Sequence, residues 1–395
     1  MSQDENIQII DLKKAKKELE RPVRGPMDIP FMLLVILLCS IGLVMMFSAS
    51  YATGADDPDL GPAFFVTRQS VYALLGVCIM LAISKMNHHY FRLFAIPVML
   101  VALALLVVVL FIGSDAAGAK RWINFGFFNL QPSEVAKVAV ILLFAQMISM
   151  DPEGLTHKKL LPAVKGIWKY IGILALVVGL IILEPHFSGT VIIIAIGAVM
   201  MFVGGIATRW IVAVGGMAVS LLYLIITQTN YAKARLDIWK DPFSDMQGDG
   251  WQTVQSLYAI GSGGPFGVGL GQSRQKHLYL PEPQNDFVFS IVCEELGLVG
   301  AGVVLMLFML LIIRGYWIAI HSSHDRFGML LCSGITSLLA VQTFLNVAVV
   351  TNLIPVTGIS MPFFSYGGSS LVLLMAQMGV ILSVSREIKP GIAGD

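Results

Sequence analysis

Apolar runs long enough to cross a membrane recur along the whole chain, and they constrain its fold more than any other feature. A transmembrane helix needs about 20 consecutive, mostly apolar residues. Runs of this kind lie at residues 29–50, 66–86, 93–113, 133–150, 167–184, 188–206, 209–229, 287–314, 327–350 and 366–386. The sequence therefore predicts an all-α integral membrane protein with about ten transmembrane helices.

The composition excludes a soluble domain and a nucleic-acid-binding protein. Charged residues make up 13% of the 395 residues, whereas a soluble domain carries about 25% to cover its surface. The net charge is only +1, and no concentrated basic face is left once the apolar runs are set aside.

The distribution of Lys and Arg predicts the topology. Most of the 26 lie in loops that share one side with the N-terminus, so both termini are expected in the cytoplasm. The predicted organisation is a basic tail at 1–27, a membrane region at 28–388 and a short cytoplasmic tail at 389–395. A large outer loop at 230–286 joins the seventh and eighth helices, and its aromatic residues favour a functional loop.

Carboxylates mark the eighth apolar run. Asp286 lies where the run begins. Asn285 or Asp286 is a candidate helix cap, and Asp286 is also a candidate general base at the membrane surface, a role compatible with capping. Glu294 and Glu295 lie roughly 12–13 Å deeper along the same helix. Since a carboxylate at that depth needs a partner, we expect an ion pair between helices, with Lys137 as the suggested cation.

Cations on the outer side mark a second cluster. Lys120 and Arg121 precede Gln131-Pro132-Ser133-Glu134, which reads as a helix start, and Lys137 follows one turn later. This arrangement suits an anionic headgroup such as a phosphate. Ordinary anionic lipid is the alternative ligand.

A third segment, at 355–370, breaks the helical pattern at membrane depth with prolines and glycines. Irregular backbone is tolerated there only when it is buried in protein or lines a wet cavity. The segment is therefore either a packed re-entrant loop or part of a substrate groove.

Other motifs are discounted. Gly267, Gly269 and Gly271 follow no predicted strand, so a dinucleotide fold is excluded. His321 and His324 lie in a short cytoplasmic loop without further ligands, so no metal site is predicted there.

These motifs together resemble the SEDS family, the shape, elongation, division and sporulation proteins that include RodA, FtsW and SpoVE. The resemblance is greater to the FtsW and SpoVE branch than to RodA. The resemblance runs from about residue 28 to 388 and rests on order and spacing as much as on single motifs. The matching segments are Ser48-Ala49-Ser50, Arg68-Gln69, Gly118 to Trp122, Gln131 to Glu134, Lys137, Gly250-Trp251-Gln252, Gln255-Ser256-Leu257, Gly261 to Gly264, Gly267 to Gly271, Leu280-Pro281-Glu282, Asp286-Phe287, Glu294-Glu295 and the stretch ending at Ser370.

The resemblance implies an inverting peptidoglycan glycosyltransferase of the bacterial cytoplasmic membrane, which polymerises lipid II into β-1,4-linked strands. Asp286 matches the acidic residue that the family is thought to use as the catalytic base. The implied supporting residues are Glu134, Glu294 and Glu295, and the implied substrate-binding residues are Arg68, Lys120, Arg121, Lys137, Gln252, Ser256 and Ser369.

The resemblance also implies partners. Lipid II is the substrate, membrane lipid surrounds the helices, and a class B penicillin-binding protein, a single-span transpeptidase, is the expected protein partner. No cofactor is required, and the sequence leaves open whether a divalent cation assists.

One position departs from the family pattern. Relatives usually have Pro-Asp after the fifth helix, whereas this chain has Glu184-Pro185-His186. If the acid has a charged role in relatives, Glu184 is the residue that would take it over here.

Two other function classes stay open at this stage. A lipid II transporter needs alternating access and often shows paired broken helices in repeated halves, and a non-catalytic scaffold would not need the outer carboxylate. The process served, whether division, elongation or sporulation, is not fixed by the sequence.

Overall fold

The computed structural model describes residues 25–116, 119–126, 128–151, 155, 160–184, 186–210, 215–216, 237–248 and 250–388. Its elements, in chain order, are α1 (Ile29–Asp56), α2 (Phe64–Ser84), α3 (Tyr90–Ile112), β1 (Ser114–Ala116), β2 (Ala119–Asn124), β3 (Asn129–Leu130), α4 (Pro132–Met150), α5 (Leu160–Leu183), α6 (Phe187–Val203), a 3-10 turn (Pro242–Asp245), α7 (Trp251–Gly263), α8 (Val288–His321), α9 (Arg326–Val350) and α10 (Gly368–Ser385).

The helices confirm the predicted multi-pass membrane protein. Eight of the described helices are long and apolar enough to cross a bilayer, and α6 is a shorter apolar helix of 17 residues. Most of the predicted seventh run, 209–229, lies outside the described residues. Each of the other predicted runs coincides with a helix.

Burial separates inner helices from outer ones. In their apolar windows, α9 and α10 have 72% and 67% of residues buried, whereas α2 and α5 each have 22%. Exposed apolar side chains such as Leu74 on α2 and Phe111 on α3 are those expected to face lipid acyl chains. Helices α9 and α10 therefore form the inside of the bundle.

A small antiparallel sheet on the outer side is a feature that the sequence analysis does not predict. Its strand order is β1-β2-β3. In β2, Trp122 pairs with Ser114 and Ile123 pairs with Leu130. The sheet carries the chain from α3 to the first turn of α4, where Pro132 stands at the start of the helix.

Helix α8 is broken at Gly297, which has a φ of 68°. The glycine-rich segment after α7 passes through this break and exchanges backbone hydrogen bonds with it. Val268 N donates to Glu294 O at 3.0 Å, and Leu298 N donates to Gly264 O at 2.9 Å. The bonds satisfy amide and carbonyl groups that a broken helix would otherwise leave unpaired.

The two described ends of the chain meet at one end of the bundle. Asp28 caps α1 and also accepts a bond from Arg314 at 2.7 Å. The Asp28 N–H donates to Ser385 Oγ at 3.1 Å, and Arg386 Nε donates to Gly25 O at 3.1 Å. This agrees with the predicted placement of both termini on the cytoplasmic side.

The crossing between α7 and α8 predicts unequal effects for two glycines of α7. A Cβ atom on Gly263 would lie 2.0 Å from Cys293 O, whereas one on Gly261 would meet nothing within 4 Å. We expect Gly263→Ala to destabilise the fold by about 1–3 kcal/mol or more. Gly261→Ala should be neutral or stabilising by about 0.5–1 kcal/mol. Melting temperatures of the two detergent-solubilised variants test this, and equal values would contradict the close crossing.

Candidate functional site

Two adjoining cavities lie between the start of α4, the middle of α9 and the irregular segment before α10. They span about 410 and 260 Å³ of space that is partly open to solvent, and they share Glu134, Gln342 and Ser360 as lining residues. We call them together the outer cleft. The remaining lining residues are Gln131, Lys137, His186, Ser188, Gly189, Ile192, Gly358, Ile359, Met361, Pro362, Phe363, Ser365, Ser370, Leu371, Leu374 and Gln377.

Asp286 lies at the edge of the outer cleft. A Cβ atom on Gly358, which lines the smaller cavity, would be 3.2 Å from Asp286 Oδ2. The backbone of Asp286 is held by Asn346, a fully buried residue whose Nδ2 donates to Asp286 O at 2.8 Å and to Ile359 O at 2.7 Å. The carboxylate is therefore positioned by a fixed backbone beside the cleft.

The capping interpretation of Asp286 is wrong. Helix α8 begins at Val288 and its N-cap residue is Phe287, whose side chain has no oxygen to accept a bond from the helix. Asn285 instead donates its side-chain amide to Glu282 Oε2 at 2.7 Å. The positioning of Asp286 thus depends on Asn346 and Gly358.

Lys137 lies in the outer cleft, paired with Glu134 of its own helix. Its Nζ is 2.6 Å from Glu134 Oε1, and the residue is only 2% exposed. Both side chains line the smaller cavity. The pairing explains how a membrane helix accommodates a carboxylate and an ammonium group in its first turns.

The suggested pairing of Lys137 with Glu294 or Glu295 is wrong, because those two carboxylates bind the outer loop. Glu295 accepts bonds from Lys276 Nζ at 3.0 Å and from Ser48 Oγ at 2.7 Å. Glu294 accepts bonds from Ser273 Oγ and from the Arg274 N–H. Both glutamates are 1% exposed, so they anchor the loop and α1 to α8.

Arg121 of β2 lies near the turn between α5 and α6. Its positive charge is close enough to act on Glu184 and His186. His186 lines the smaller cavity, and Glu184 is 1% exposed. Burial, together with the charges of Arg121 and Lys137, lowers the pKa of His186 to about 3. The imidazole is therefore neutral at pH 7.

Lys120 lies on the same hairpin as Arg121. Its backbone is in β2, opposite Asp115. Its side chain lies outside the described part of the structure, so its predicted contact with substrate stays a prediction.

Arg68 lies on α2 and is connected through Tyr366 to the segment that precedes Asp286. It is exposed, its guanidinium lies 4.5 Å above the Phe64 ring, and it is hydrogen-bonded to the Tyr366 side chain. The Tyr366 N–H donates to Gln284 O at 2.8 Å, two residues before Asp286. Arg68, an exposed cation that can contact an anionic ligand, is thereby connected through Tyr366 to the segment that carries the Asp286 carboxylate.

Three predicted binding residues have different surroundings. Ser256 is fully buried, and its hydroxyl group is bonded to Ser290 Oγ and Val350 O, each at 2.7 Å, which indicates a packing role. Ser369 Oγ donates to Asn129 O at 2.6 Å and holds β3 against α10. Gln252 is half-buried in the first turn of α7. The predicted binding roles of Ser256, Ser369 and Gln252 stay predictions.

Sequence reasoning missed several residues that build the site. Asn346 and Gln342 carry side-chain amides inside the apolar ninth run. Gln69 Nε2 donates to Ser365 O, and Gln69 Oε1 accepts a bond from the Gly367 N–H near the start of α10. The rule that polar side chains within membrane helices mark function would have singled them out. Lys276 lies in the outer loop, so that rule does not reach it, and the predicted topology marks it only as a cation on the side disfavoured for Lys and Arg.

Comparisons with known proteins agree with this architecture. A family model described as "Cell cycle protein", built on FtsW, RodA and SpoVE, matches residues 29–390. The chain is 37% identical over 376 residues to a probable peptidoglycan glycosyltransferase FtsW from Geobacter sulfurreducens, covering 94% of this chain and 97% of that one. It is 39% identical to the stage V sporulation protein E of Bacillus subtilis, covering 91% and 97%.

Solved structures are similar as well. A chain of a peptidoglycan synthase complex that coordinates polymerization and crosslinking superposes with a TM-score of 0.74 at 29% identity, covering 92% of this chain and 99% of that one. The rod shape determining protein RodA of Thermus thermophilus superposes with a TM-score of 0.66, also at 29% identity, covering 92% and 97%.

The buried pair of Lys276 and Glu295 yields a stability prediction. Lys276→Met leaves the Glu295 carboxylate buried without its cation, which we expect to cost about 3–5 kcal/mol. The matched control is Lys169→Met, since Lys169 and Asp151 form a pair whose side chains are 39% and 48% exposed, and such pairs contribute at most about 1 kcal/mol. Unfolding of both variants is measured in one detergent, and similar losses would contradict the anchoring role.

His186 yields a prediction about pH. Its pKa falls from 6.5 to about 3 on folding, so the unfolded chain binds more protons between those values. The contribution to stability is complete above about pH 6.5 and is lost as the pH falls towards 3. We expect His186→Gln to show a flatter decline of melting temperature below pH 6.5. The exposed His324→Gln should keep the wild-type slope, and an unchanged slope in His186→Gln would reject the assignment.

Proposed function

Because the chain belongs to the family of FtsW, RodA and SpoVE and is a peptidoglycan glycosyltransferase of the cytoplasmic membrane, we propose that it polymerises lipid II with Asp286 as the general base. The observation that carries the proposal is the position of the Asp286 carboxylate. It lies beside Gly358, at the edge of a cleft whose walls include Lys137 and His186.

The proposed reaction joins two lipid II molecules. The 4-hydroxyl group of GlcNAc on one molecule gives its proton to Asp286 while its oxygen attacks the anomeric carbon of the lipid-linked MurNAc on the growing chain. The bond from that carbon to the prenyl pyrophosphate breaks, and the pyrophosphate leaves with the electron pair. Attack opposite to the leaving group inverts the anomeric carbon and gives a β-1,4 bond.

Cations around the outer cleft support binding of the leaving group. Arg68 of α2 is exposed, which suits contact with an anionic group. Arg121 of β2 acts on His186, which lines the cleft. Lys137 is already paired with Glu134 at 2.6 Å, so we assign it to holding Glu134 and the cleft wall rather than to meeting the diphosphate alone. Positive groups near the departing oxygens stabilise the charge that develops in the transition state.

A transpeptidase partner belongs to the proposal as well. The similarity to a chain from a synthase complex that coordinates polymerization and crosslinking supports a class B penicillin-binding protein as the partner. Such a partner would crosslink the strands that the cleft releases.

The proposal predicts a selective loss of activity in Asp286→Asn. The amide keeps the size of the side chain but accepts no proton at neutral pH, so polymerisation should fall by about 10²–10⁴-fold, the usual contribution of a general base. The assay is the formation of glycan strands from purified lipid II by the protein in liposomes. The matched control, Asp59→Asn, changes an exposed carboxylate of the loop between α1 and α2 and should polymerise at the wild-type rate.

Two outcomes would overturn the proposal. Unchanged strand synthesis by a folded Asp286→Asn protein would reject the base. Movement of labelled lipid II across vesicle membranes by wild type, without any polymer, would favour a transporter instead.

A further inference from the structure

A second cluster of ionisable side chains lies at the opposite, cytoplasmic end of the bundle. It contains His88 and His89 from the turn between α2 and α3, Asp325 at the start of α9, and Glu387 just after α10. One potential ligand atom from each residue lies within 4.8 Å of the others. The outer cleft and the proposed reaction make no use of these four residues.

The hydrogen bond between His88 and Asp325 fixes the tautomer of the neutral His88 ring. Nε2 of His88 is 2.5 Å from Asp325 Oδ2. An ionised carboxylate only accepts hydrogen bonds, so the proton sits on Nε2. In the neutral ring, Nδ1 then carries a lone pair. Among the described residues that nitrogen is fully buried and has no hydrogen-bond partner, which is costly unless something binds it.

The distances to Glu387 suit a shared ion better than hydrogen bonds. His88 Nδ1 is 3.7 Å from Glu387 Oε1, and His89 Nε2 is 3.9 Å from Glu387 Oε2. Both distances exceed the roughly 2.7–3.2 Å of an N–H···O bond. Two ligands of one tetrahedral zinc ion, each at about 2.0–2.1 Å from it, lie about 3.4 Å apart, which is within about half an ångström of both separations. An ion between the three side chains therefore fits where direct bonds do not.

Asp325 has the role of an orienting partner in this arrangement. Its two oxygens cap α9 by accepting bonds from the Phe327 and Gly328 N–H groups at 3.2 and 2.9 Å. A metal-bound histidine commonly donates its other N–H to a carboxylate, which fixes the ring and raises its basicity as a ligand. Asp325 holds His88 in this way.

We propose that His88 Nδ1, His89 and Glu387 bind one divalent transition-metal ion of the zinc class at the cytoplasmic face, with Asp325 orienting His88. Imidazole nitrogens with a single carboxylate favour such ions over Mg²⁺, which prefers oxygen ligands. With both rings neutral, the ion also offsets the charge of two carboxylates that lie close together. Since its ligands come from the α2–α3 turn and the end of α10, and are braced by α9, the ion cross-links three cytoplasmic helix ends.

The test uses the full chain in detergent, stripped with EDTA and desalted. Zn²⁺ is titrated in competition with a chromogenic chelator, and Co²⁺ is followed by its visible absorption. We expect one equivalent of Zn²⁺ per chain, a Co²⁺ spectrum that Zn²⁺ abolishes, no competition from millimolar Mg²⁺, and a higher melting temperature with Zn²⁺.

Variants separate this site from adventitious binding. His88→Gln and Glu387→Gln should lower the Zn²⁺ affinity at least tenfold, and Asp325→Asn, which keeps a helix cap, by about 10–100-fold. His324→Gln removes an exposed histidine of the same cytoplasmic turn and should bind like wild type. Less than one equivalent on wild type overturns the proposal, however the variants fold. Unchanged affinity in folded Glu387→Gln, whose side chain is 20% exposed, does so as well.

Discussion

The break in α8 at Gly297 is the feature on which the rest of the outer structure depends. Backbone groups at membrane depth must find partners inside the protein. Here the partners are the backbone groups of the glycine-rich segment that follows α7. Contact between two backbones requires that neither carries a side chain at the crossing, and a Cβ atom on Gly267 would lie 2.2 Å from Glu295 O. The break thus joins the large outer loop to α8, the helix that begins two residues after Asp286.

The buried glutamates reinforce the same connection. Once the loop crosses α8, Glu294 and Glu295 accept bonds from residues 273–276, and Glu295 also accepts a bond from Ser48 of α1. A carboxylate that is 1% exposed is stable only with such partners. The loop is therefore bound tightly on one side of Asp286, while Asn346 holds the backbone of Asp286 on the other. Rigid support on both sides is what a positioned base requires.

The sequence predicted the membrane helices well, because the length and apolarity of a span depend on local composition alone. It also singled out Asp286, Lys137 and the segment before α10 as separate clusters on the outer side, and the structure brings them to one cleft. It failed where the outcome depended on which helices touch. The partner of Glu295 is Lys276, 19 residues away in the chain, and no periodic pattern relates a loop cation to a helix carboxylate. The hairpin at 114–130 was missed because its strands are only 2–6 residues long.

The histidine that replaces the usual acid after the fifth helix fits the charge of the outer cleft. Lys137 is paired with Glu134. Burial raises the pKa of Glu184 to about 8 despite the nearby charge of Arg121, so that carboxyl group is mostly neutral at pH 7. Asp286 adds one negative charge at the edge. An acid at position 186 would add another, and like charges in a low-dielectric cleft repel a diphosphate as well as each other. His186, neutral at pH 7 because burial and two neighbouring cations lower its pKa, can line the same cavity without that repulsion. Compared with the family pattern, the histidine therefore removes one negative charge from this wall of the cleft at pH 7.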